Sequence, residues 1–391
     1  MRPDAPDTLT ITDARLRTAP GAAPIERATL RIADGRILGW AADGPTLPGS
    51  PSLSVSGRTV LAGYWNAHVH FTEAKWRRLA REGGSALAEE LERFAGRWGF
   101  TNVVDAGSDP RVTLPIRARV RSGSVPGPGI RTAGPSIFPP RAIPYYLRPQ
   151  IPFYVLWFVP SPRSAAGARR AVARSIAQGA DLVKLFTGSY VARGVVRPMP
   201  REVARAAVAS AHAAGQLVYA HPSNGAGTRV AVESGVDVLA HAPDAPEGID
   251  DDLLRRMVAQ GTAMIPTLQM FGATVSRSER YLGPIRGIVA RFRALGGELW
   301  FGTDVGYLPE YDPSEEFEAL TRTGIPPPEI HAMLTERPAR RFERSPTAGT
   351  IAPGAPADLV VLDEDPYDHP TAFARPRATM RGGRWIAGRI P

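Results

Sequence analysis

The chain of 391 residues contains no cysteine, which excludes disulfide bridges and thiolate metal ligands and leaves the redox compartment open. It also contains no apolar run long enough to cross a membrane. The most apolar stretch, 151–160, is short and bounded by proline, and the first seven residues lack the apolar centre of a signal peptide. We therefore expect a cytoplasmic protein with no membrane partner.

A clustered basic surface is also missing. The net charge is +9, but the arginines are scattered along the chain and aromatic residues do not alternate with them. Nucleic-acid binding is therefore not expected. The hydrophobic fraction of 43% and the charged fraction of 22% are ordinary for a globular protein, and the length suits either one large domain or a large domain with a small companion.

Lysine is almost absent, since only Lys75 and Lys184 occur among the 47 basic residues. Arginine stays protonated, whereas a buried lysine can lose its proton and react at nitrogen. Lys184 lies in an apolar, strand-like run, 181–187, where a charge is costly unless it is paired or modified. Either Lys184 has a chemical task that arginine cannot perform, or it points to solvent from an edge strand.

From residue 61 the chain alternates between apolar strands and amphipathic helices. The predicted strands are 59–65, 101–107, 129–134, 181–187, 216–221, 236–241, 262–266 and 298–304. The predicted helices are 85–97, 164–178, 200–214, 225–234, 250–260, 284–296, 313–323 and 327–342. Eight such repeats predict an α/β fold with a (β/α)8 TIM barrel over 61–348. Residues 1–60 and 349–391 consist of short strands and turns, and we expect them to form the N- and C-terminal parts of a small β-sandwich.

Four of the seven histidines fall at the ends of predicted strands, where such barrels place their catalytic groups. His68 and His70 are two residues apart and therefore point to one side of an extended chain. Two neutral imidazoles suit a divalent metal such as zinc, although the pair alone is equally compatible with two unrelated loop residues. The polar residues at these strand ends are His68, His70, Lys184, His221, His241 and Asp304.

In its ordered set of motifs the sequence resembles the amidohydrolase superfamily, and more closely its imidazolonepropionase-like and prolidase-like branch. The motifs that carry the resemblance are 66–71, 179–184, 218–221, 238–241, 301–304 and 349–362. They extend over nearly the whole chain and include both parts of the expected β-sandwich. The ordered set is specific, whereas each motif alone is not.

The resemblance implies a binuclear metal centre, with zinc as the expected metal. His68, His70 and Asp304 would hold the first ion, and His221 and His241 the second. Lys184, carboxylated by carbon dioxide, would bridge the two ions. Carboxylation converts an ammonium into an anionic oxygen ligand, which explains why arginine could not replace this lysine. Lys184 and Asp304 would thus be the catalytic residues, with Asp304 accepting a proton from the bridging water.

One position departs from the family pattern. Many relatives carry Asp two residues before the first histidine, where this chain has Asn66. Asparagine still accepts a hydrogen bond but carries no charge, so we expect weaker metal binding without loss of the ligands.

Five residues near the predicted strand ends are candidate substrate contacts, namely Tyr145, Tyr146, Tyr190, Ser223 and Asn224. Tyr190 follows Lys184 by six residues, where some dipeptidase-like relatives place a tyrosine near the substrate carboxylate. Tyr145 and Tyr146 lie in a long loop, about 135–163, rich in proline and aromatic residues. That loop either forms a lid or packs on a second subunit, so a homo-oligomer stays open.

These features predict a metal-dependent amidohydrolase that uses metal-activated hydroxide to hydrolyse an amide C–N bond of a small molecule or a dipeptide-like substrate. Within enzymes, the alternatives are an imidazolonepropionase-like cyclic amidase and an enzyme of secondary metabolism that uses the same site for another step. A binding protein with a lapsed metal site is the alternative outside enzymes, and the intact ligand set argues against it.

Overall fold

The computed structural model describes residues 8–151, 156 and 159–390. Its strands are β1 (Thr8–Leu16), β2 (Ile25–Ala33), β3 (Arg36–Ala42), β4 (Ser52–Ser54), β5 (Thr59–Ala62), β6 (Tyr64–Val69), β7 (Phe100–Asp105), β8 (Gly129–Thr132), β9 (Leu182–Phe186), β10 (Gly188–Ala192), β11 (Val195–Pro198), β12 (Leu217–His221), β13 (Val238–Leu239), β14 (Ala263–Met264), β15 (Leu359–Leu362), β16 (Pro376–Arg381) and β17 (Arg384–Gly388). Its α-helices are α1 (Ala74–Glu82), α2 (Gly84–Phe94), α3 (Pro110–Arg121), α4 (Ala165–Ala177), α5 (Arg201–Ala213), α6 (Gly225–Ser234), α7 (Asp251–Gln260), α8 (Leu268–Thr274), α9 (Glu279–Ala294), α10 (Ser314–Arg322), α11 (Pro327–Leu334) and α12 (Glu336–Glu343).

Strands from both ends of the chain share one sheet. Its order is β17-β16-β15-β5-β1-β2-β3, with β4 pairing on β1, and the two ends of the chain join where β15 runs antiparallel to β5. In place of two stacked sheets, this is a single sheet whose end hairpins meet around one apolar cluster. Ala357 N donates to Gly35 O at 2.8 Å, and a Cβ on Gly35 would lie 2.7 Å from Gly382 O. The predicted β-sandwich is therefore described better as one bent sheet.

The predicted strand 59–65 is in fact two strands that serve different sheets. β5 pairs within the sheet of the chain ends, and β6 pairs with β7. Gly63 separates the two strands, and a Cβ there would lie 2.3 Å from Thr101 Oγ1, so a larger residue would not fit. As a result His68 lies within β6 and His70 lies just beyond it, rather than both following a strand.

Apart from the antiparallel hairpin β10–β11, the remaining strands are parallel and form two sheets, β6-β7-β8 and β9-β12-β13-β14. A backbone hydrogen bond of 2.7 Å from Asp181 N to Thr132 O connects them on one side. On the other side the extended segment 298–305 bonds to both sheets. Trp300 N donates to Met264 O at 2.9 Å, and Ala67 N donates to Phe301 O at 2.8 Å. Parallel pairing brings the carboxyl ends of these strands to the same side of the molecule.

Several predicted helices differ from those observed. The predicted helix 85–97 ends as α2 at Phe94, and a short 3-10 helix, Gly96–Trp98, follows it. The predicted helix 327–342 is broken at Thr335, whose backbone is not helical, into α11 and α12. Helices α1, α3 and α8 and the hairpin β10–β11 were not predicted. Helix α3 begins at Pro110 and contains Pro115. Because proline is unfavourable inside a helix, the sequence pattern does not indicate a helix there.

Among the described residues, no helix combines the length and the apolar character needed to cross a bilayer. Six residues of the predicted lid, 152–155 and 157–158, lie outside the described part of the chain.

Candidate metal centre

Six side chains that the sequence singles out converge at the carboxyl side of the parallel strands. They are His68 in β6, His70 just after it, Lys184 in β9, His221 at the end of β12, His241 just after β13, and Asp304 in the extended segment 298–305. The parallel register, in which Lys184 lies opposite Tyr219 on the neighbouring strand, keeps these positions level. The fold thus brings these six side chains, which are spread over residues 68–304 of the sequence, into one cluster.

The shortest contacts surround one carboxylate oxygen. Asp304 Oδ1 lies 3.3 Å from His68 Nε2 and 3.0 Å from His70 Nε2, and the two Nε2 atoms are 3.3 Å apart. Lys184 Nζ lies 3.4 Å from His68 Nε2. Asp304 has a φ of 61°, in the left-handed region that few residues other than glycine adopt, and this backbone turn directs its side chain into the cluster.

Hydrogen bonds at the remote ring nitrogens fix the tautomers of three histidines. His68 Nδ1 is 2.7 Å from Ala240 O and His70 Nδ1 is 2.9 Å from Gly107 O; because a carbonyl only accepts, both Nδ1 atoms carry the proton. His241 Nδ1 lies 2.9 Å from Thr267 Oγ1, whose own proton goes to the carbonyl of Pro266 at 2.8 Å, so His241 Nδ1 also donates. All three Nε2 atoms are left with a lone pair.

The second group of predicted ligands lies against the first. The ring of His241 packs at 4.5 Å from that of His68 and at 4.6 Å from that of His221. His221 is also stacked on Phe186, with the ring centroids 4.5 Å apart. Ligand atoms of His68, His241 and Asp304 all lie within 4.8 Å of one another. This group differs from the predicted ligand sets, in which His68 and Asp304 bind the first ion and His241 binds the second.

Burial keeps three histidines of the cluster uncharged. It lowers the pKa of His68, His221 and His241 well below the ordinary value of histidine, and nearby Lys184 lowers each of them further. Burial also lowers the pKa of Lys184 to about 7, against the opposing influence of Asp304 and Asp105. Neutral imidazoles bind metals, and a lysine with this pKa is partly a free amine at neutral pH.

The donor set fits a divalent cation. Asp304 Oδ1 is buried and has no hydrogen-bond partner among the described residues. Around it the lone pairs of the histidine Nε2 atoms converge, an arrangement that is repulsive unless a cation lies between them. Imidazole nitrogen and carboxylate oxygen are ligands that zinc and similar metals prefer, and the cysteine-free chain offers no thiolate.

Two polar side chains brace the centre from behind. Asn66 Oδ1 accepts from the backbone N–H groups of His68 and Thr303, both at 3.2 Å, and Asn66 Nδ2 donates to Thr303 Oγ1 at 2.8 Å. Asp105 ends β7, where it accepts from Gly107 N at 3.1 Å and thereby fixes the loop whose carbonyl binds His70. The role of Asp105 was missed in the sequence, although its place at a strand end was a usable signal.

The cluster opens into a cavity of about 1420 Å³. Four of the five predicted substrate contacts line it, namely Tyr145, Tyr146, Tyr190 and Ser223. Tyr190 lies on the hairpin β10–β11 rather than on a loop, and its backbone carbonyl accepts from Tyr145 N at 2.8 Å. Asn224 does not line the cavity. Its side chain accepts from Gly227 N at 3.2 Å and caps α6, so the structure corrects that prediction.

The cavity wall also contains an acid that the sequence reasoning missed. Asp244 lies three residues after His241 and accepts a hydrogen bond of 2.7 Å from the Tyr190 hydroxyl. Burial raises its pKa to about 6. A carboxylate so soon after a strand-end histidine was the signal in the sequence.

The chain is similar in sequence to several known proteins. Ochratoxinase of Aspergillus niger is 25% identical over 244 residues, which are 56% of this chain and 49% of that enzyme. An uncharacterised protein of Mycobacterium tuberculosis (strain ATCC 25618 / H37Rv) is 28% identical over 374 residues, covering 91% of each chain.

Among solved structures, a Xaa-Pro dipeptidase with methionine bound in its active site has a similar fold, with a TM-score of 0.83 at 20% identity over 97% of this chain and 99% of that one. The model of the amidohydrolase family matches residues 59–386. Since that match extends over most of the sequence and contains all six converging side chains, the chain belongs to the amidohydrolase family.

Proposed function

We propose that the protein is a metal-dependent hydrolase that cleaves an amide C–N bond of a small molecule or a dipeptide-like substrate. The observation that carries the proposal is the cluster of His68, His241 and Asp304. Its ring nitrogens lie around a buried carboxylate oxygen that has no hydrogen-bond partner in the described part of the chain. A cavity large enough for a substrate opens directly onto this cluster. Its aromatic walls suit an organic molecule with apolar parts.

We infer that two zinc ions occupy the centre. His68, His70 and Asp304 would hold one ion and His221 and His241 the other, with N-carboxylated Lys184 between them. The buried position of Lys184, 3.4 Å from His68 Nε2, supports this assignment, because arginine in its place would remain a cation beside the metals. His241 lies close to His68 and Asp304, as expected if the two ions are neighbours.

Bound divalent cations would supply a hydroxide near neutral pH and polarise the scissile carbonyl. Asp304, directed into the centre by its left-handed backbone, would accept the proton of the water and pass it to the leaving nitrogen. His68 and His70, whose Nδ1 protons are held by backbone carbonyls, would keep their orientation throughout. Tyr145, Tyr146, Tyr190 and Ser223 would contact the substrate.

We also propose that the parallel strands and segment 298–305 form a closed eight-stranded barrel. The hydrogen bonds on both sides of the two parallel sheets support this closure, as does the likeness in fold to the dipeptidase. The barrel would occupy 61–348, and segments 1–60 and 349–391 would form the companion domain.

Metal content and hydrolysis test the proposal together. Purified protein supplied with zinc and bicarbonate should bind two equivalents of metal and hydrolyse members of a panel of dipeptides and N-acyl amino acids. Asp304→Asn should lower turnover by about 100-fold or more, since it removes a ligand and the proton acceptor. Asp109→Asn, at a surface ion pair on the cavity rim, is the matched control. Metal-supplemented protein that binds no metal would overturn the proposal.

The carboxylated lysine needs a separate measurement. Protein prepared with carbon-13 bicarbonate should show a carbamate carbon signal that is lost in Lys184→Arg. The same variant should bind metal less tightly, because a cation replaces an anionic ligand. Lys75→Arg changes the chain's other lysine and should keep both the signal and the metal. A carbamate signal that persists in Lys184→Arg would contradict the assignment.

A further inference from the structure

The cavity contains a carboxylate that the proposed reaction does not use. Asp244 is held in place by its own backbone, since its N–H donates to Ser223 O at 2.8 Å. Its Oδ2 accepts from the Tyr190 hydroxyl at 2.7 Å. Its Oδ1 is buried and has no hydrogen-bond partner in the part of the chain that the structure describes.

Asp244 has no counter-ion within ion-pair distance among the described residues, because no lysine, arginine or histidine side chain of 8–151 or 159–390 forms an ion pair with it. Tyrosine side chains line the same cavity, and the carboxylate raises the pKa of Tyr190, Tyr281 and Tyr146, in each case after the larger effect of burial. A partly buried anion with one unmatched oxygen is costly for the protein to hold.

We propose that Asp244 is a specificity-determining residue that binds a protonated amine of the substrate, an alkylammonium or aralkylammonium group. An ammonium has three donors and a charge, so it would hydrogen-bond to this carboxylate, which lines the cavity, and neutralise it. The faces of the neighbouring tyrosines would stabilise the same cation. This assignment rests on the proposed hydrolytic function and adds the class of substrate.

One cavity contains both the candidate metal centre and the proposed amine site, since His241, Asp304 and Asp244 all line it. A substrate that reaches both would place its scissile bond at the centre and its ammonium at Asp244. Both ends are then fixed, which favours one orientation of the bond.

A second acid on the cavity wall that lies outside the candidate metal centre, Asp109, provides a matched control. Asp109 is paired with Arg111, with contacts of 3.0 and 2.8 Å, and it caps α3 by accepting from the backbone N–H of Arg111. Its charge is therefore already compensated, and Asn is an equally good cap. Asp109→Asn removes the same charge from the cavity as Asp244→Asn without touching the proposed amine site.

Binding of two isosteric probes tests the proposal independently of turnover. The affinities of 2-phenylethylammonium and of neutral 2-phenylethanol are measured by calorimetry, on metal-loaded protein and on protein treated with chelator. The wild type should prefer the ammonium by about tenfold or more. Asp244→Asn should abolish the preference, and Asp109→Asn should retain it. Because the chelated sample needs no activity, a failure of the hydrolase proposal would show separately, as absent metal binding.

A third variant tests whether Asp244 binds the ammonium itself or only holds Tyr190 in place. Tyr190→Phe removes the hydroxyl donor and leaves the carboxylate of Asp244 in place. Recognition by Asp244 predicts that this variant keeps the preference for the ammonium. Equal binding of the two probes by the wild type, or loss of the preference in Tyr190→Phe to the same extent as in Asp244→Asn, would overturn the proposal.

Discussion

The histidines of the candidate centre are oriented by neutral groups rather than by carboxylates. His68 and His70 donate to backbone carbonyls, and His241 donates to the hydroxyl of Thr267. A carboxylate in such a place raises the basicity of the ligand more than a neutral oxygen does. Asn66, which ties the backbone of His68 to that of Thr303, is likewise neutral. The protein thus fixes the geometry of these ligands through neutral hydrogen-bond partners, and the nearest carboxylate of the described residues besides Asp304, that of Asp105, lies 3.9 Å from His70 Nδ1.

Asn66→Asp should therefore tighten metal binding. The aspartate can keep both backbone hydrogen bonds that Asn66 Oδ1 accepts, and the Thr303 hydroxyl can turn to donate to the second oxygen. The added charge lies next to His68 and stabilises a bound cation, by about tenfold in affinity. Competition with a chromophoric chelator measures this. Asn224→Asp, at the cap of α6, adds the same charge away from the cavity lining and should leave the affinity unchanged; an equal or weaker affinity in Asn66→Asp would contradict the argument.

At the scale of elements, α8 is held at its first turn by a residue of another helix. Thr267 precedes α8 in a left-handed conformation and does not cap it with its own side chain. Glu316 of α10 is fully buried and accepts from Gln269 N at 2.7 Å, which satisfies an N–H group of that first turn. Since Thr267 binds His241, the contact between these two helices also supports the candidate centre.

The burial of Glu316 predicts a pH-dependent stability. Burial raises its pKa from 4.5 to about 7, so between these values the folded protein holds a proton that the unfolded chain releases. The free energy of unfolding should then fall as pH rises through this range, by about 3 kcal/mol in total. Glu316→Gln should remove this contribution, which denaturant titrations at pH 4.5 to 8 would show. Glu318→Gln, exposed on the same helix, should follow the wild type.

If the difference in stability between the wild type and Glu316→Gln were constant across this pH range, the carboxyl group would not titrate as argued. A difference that grew in favour of the wild type with rising pH would contradict the sign.

Segment 298–305 lies so close to β6 that its glycine is required. A Cβ on Gly302 would lie 2.6 Å from Ile265 Cγ2 and 2.9 Å from His68 Cβ. Gly302→Ala should therefore cost about 1–3 kcal/mol of stability and weaken metal binding, because His68 must shift. Gly287→Ala, inside α9 with no atom within 4 Å of the new Cβ, should stabilise the protein by about 0.4–1 kcal/mol. Thermal unfolding and metal titration compare the two, and equal behaviour would contradict the close approach.

The sequence predicts those features of the fold and the site that depend on residues close together in the chain. Short stretches of sequence indicate where strands and helices alternate and where each strand-end ligand lies. Lys184 was recognisable because nearly all other basic residues of the chain are arginine. The bracing by Asp105 and the acid at Asp244 depend on contacts between distant loops. Such contacts are set by tertiary packing, which overrides local propensity. The break at Thr335, in contrast, has a signal in the sequence, because Pro338 interrupts the predicted helix 327–342.

At the scale of the whole molecule, a buried polar cluster joins the sheet of the chain ends to the helices around the parallel strands. Arg17, just after β1, forms paired hydrogen bonds with Asp365 and stacks on Tyr367, with the guanidinium 3.8 Å from the ring centre. The Tyr367 hydroxyl contacts His331 Nδ1 of α11 at 3.0 Å and accepts from Gly21 N at 2.8 Å. Burial lowers the pKa of His331 to about 3, so this histidine stays neutral within the cluster.

This cluster should stabilise the fold without taking part in the chemistry. Asp365→Asn keeps the shape of the side chain but leaves Arg17, whose side chain is only 8% exposed, without a counter-charge. Removing one partner of a buried pair costs about 3–5 kcal/mol, and the retained amide places the expected loss near the lower end. Asp363→Asn breaks the more exposed pair with Arg58 and should cost less than about 1 kcal/mol.

Thermal unfolding of the two variants, together with zinc titration of the folded proteins, checks both parts of this prediction. Asp365→Asn should unfold at a clearly lower temperature in a single transition, since the cluster joins the bent sheet to α11 and its loss weakens both together. Its affinity for zinc should equal that of the wild type, because none of the six converging side chains contacts the cluster. Loss of metal affinity would connect the cluster to the centre, and two separate transitions would mean that the sheet and the parallel strands fold as independent units.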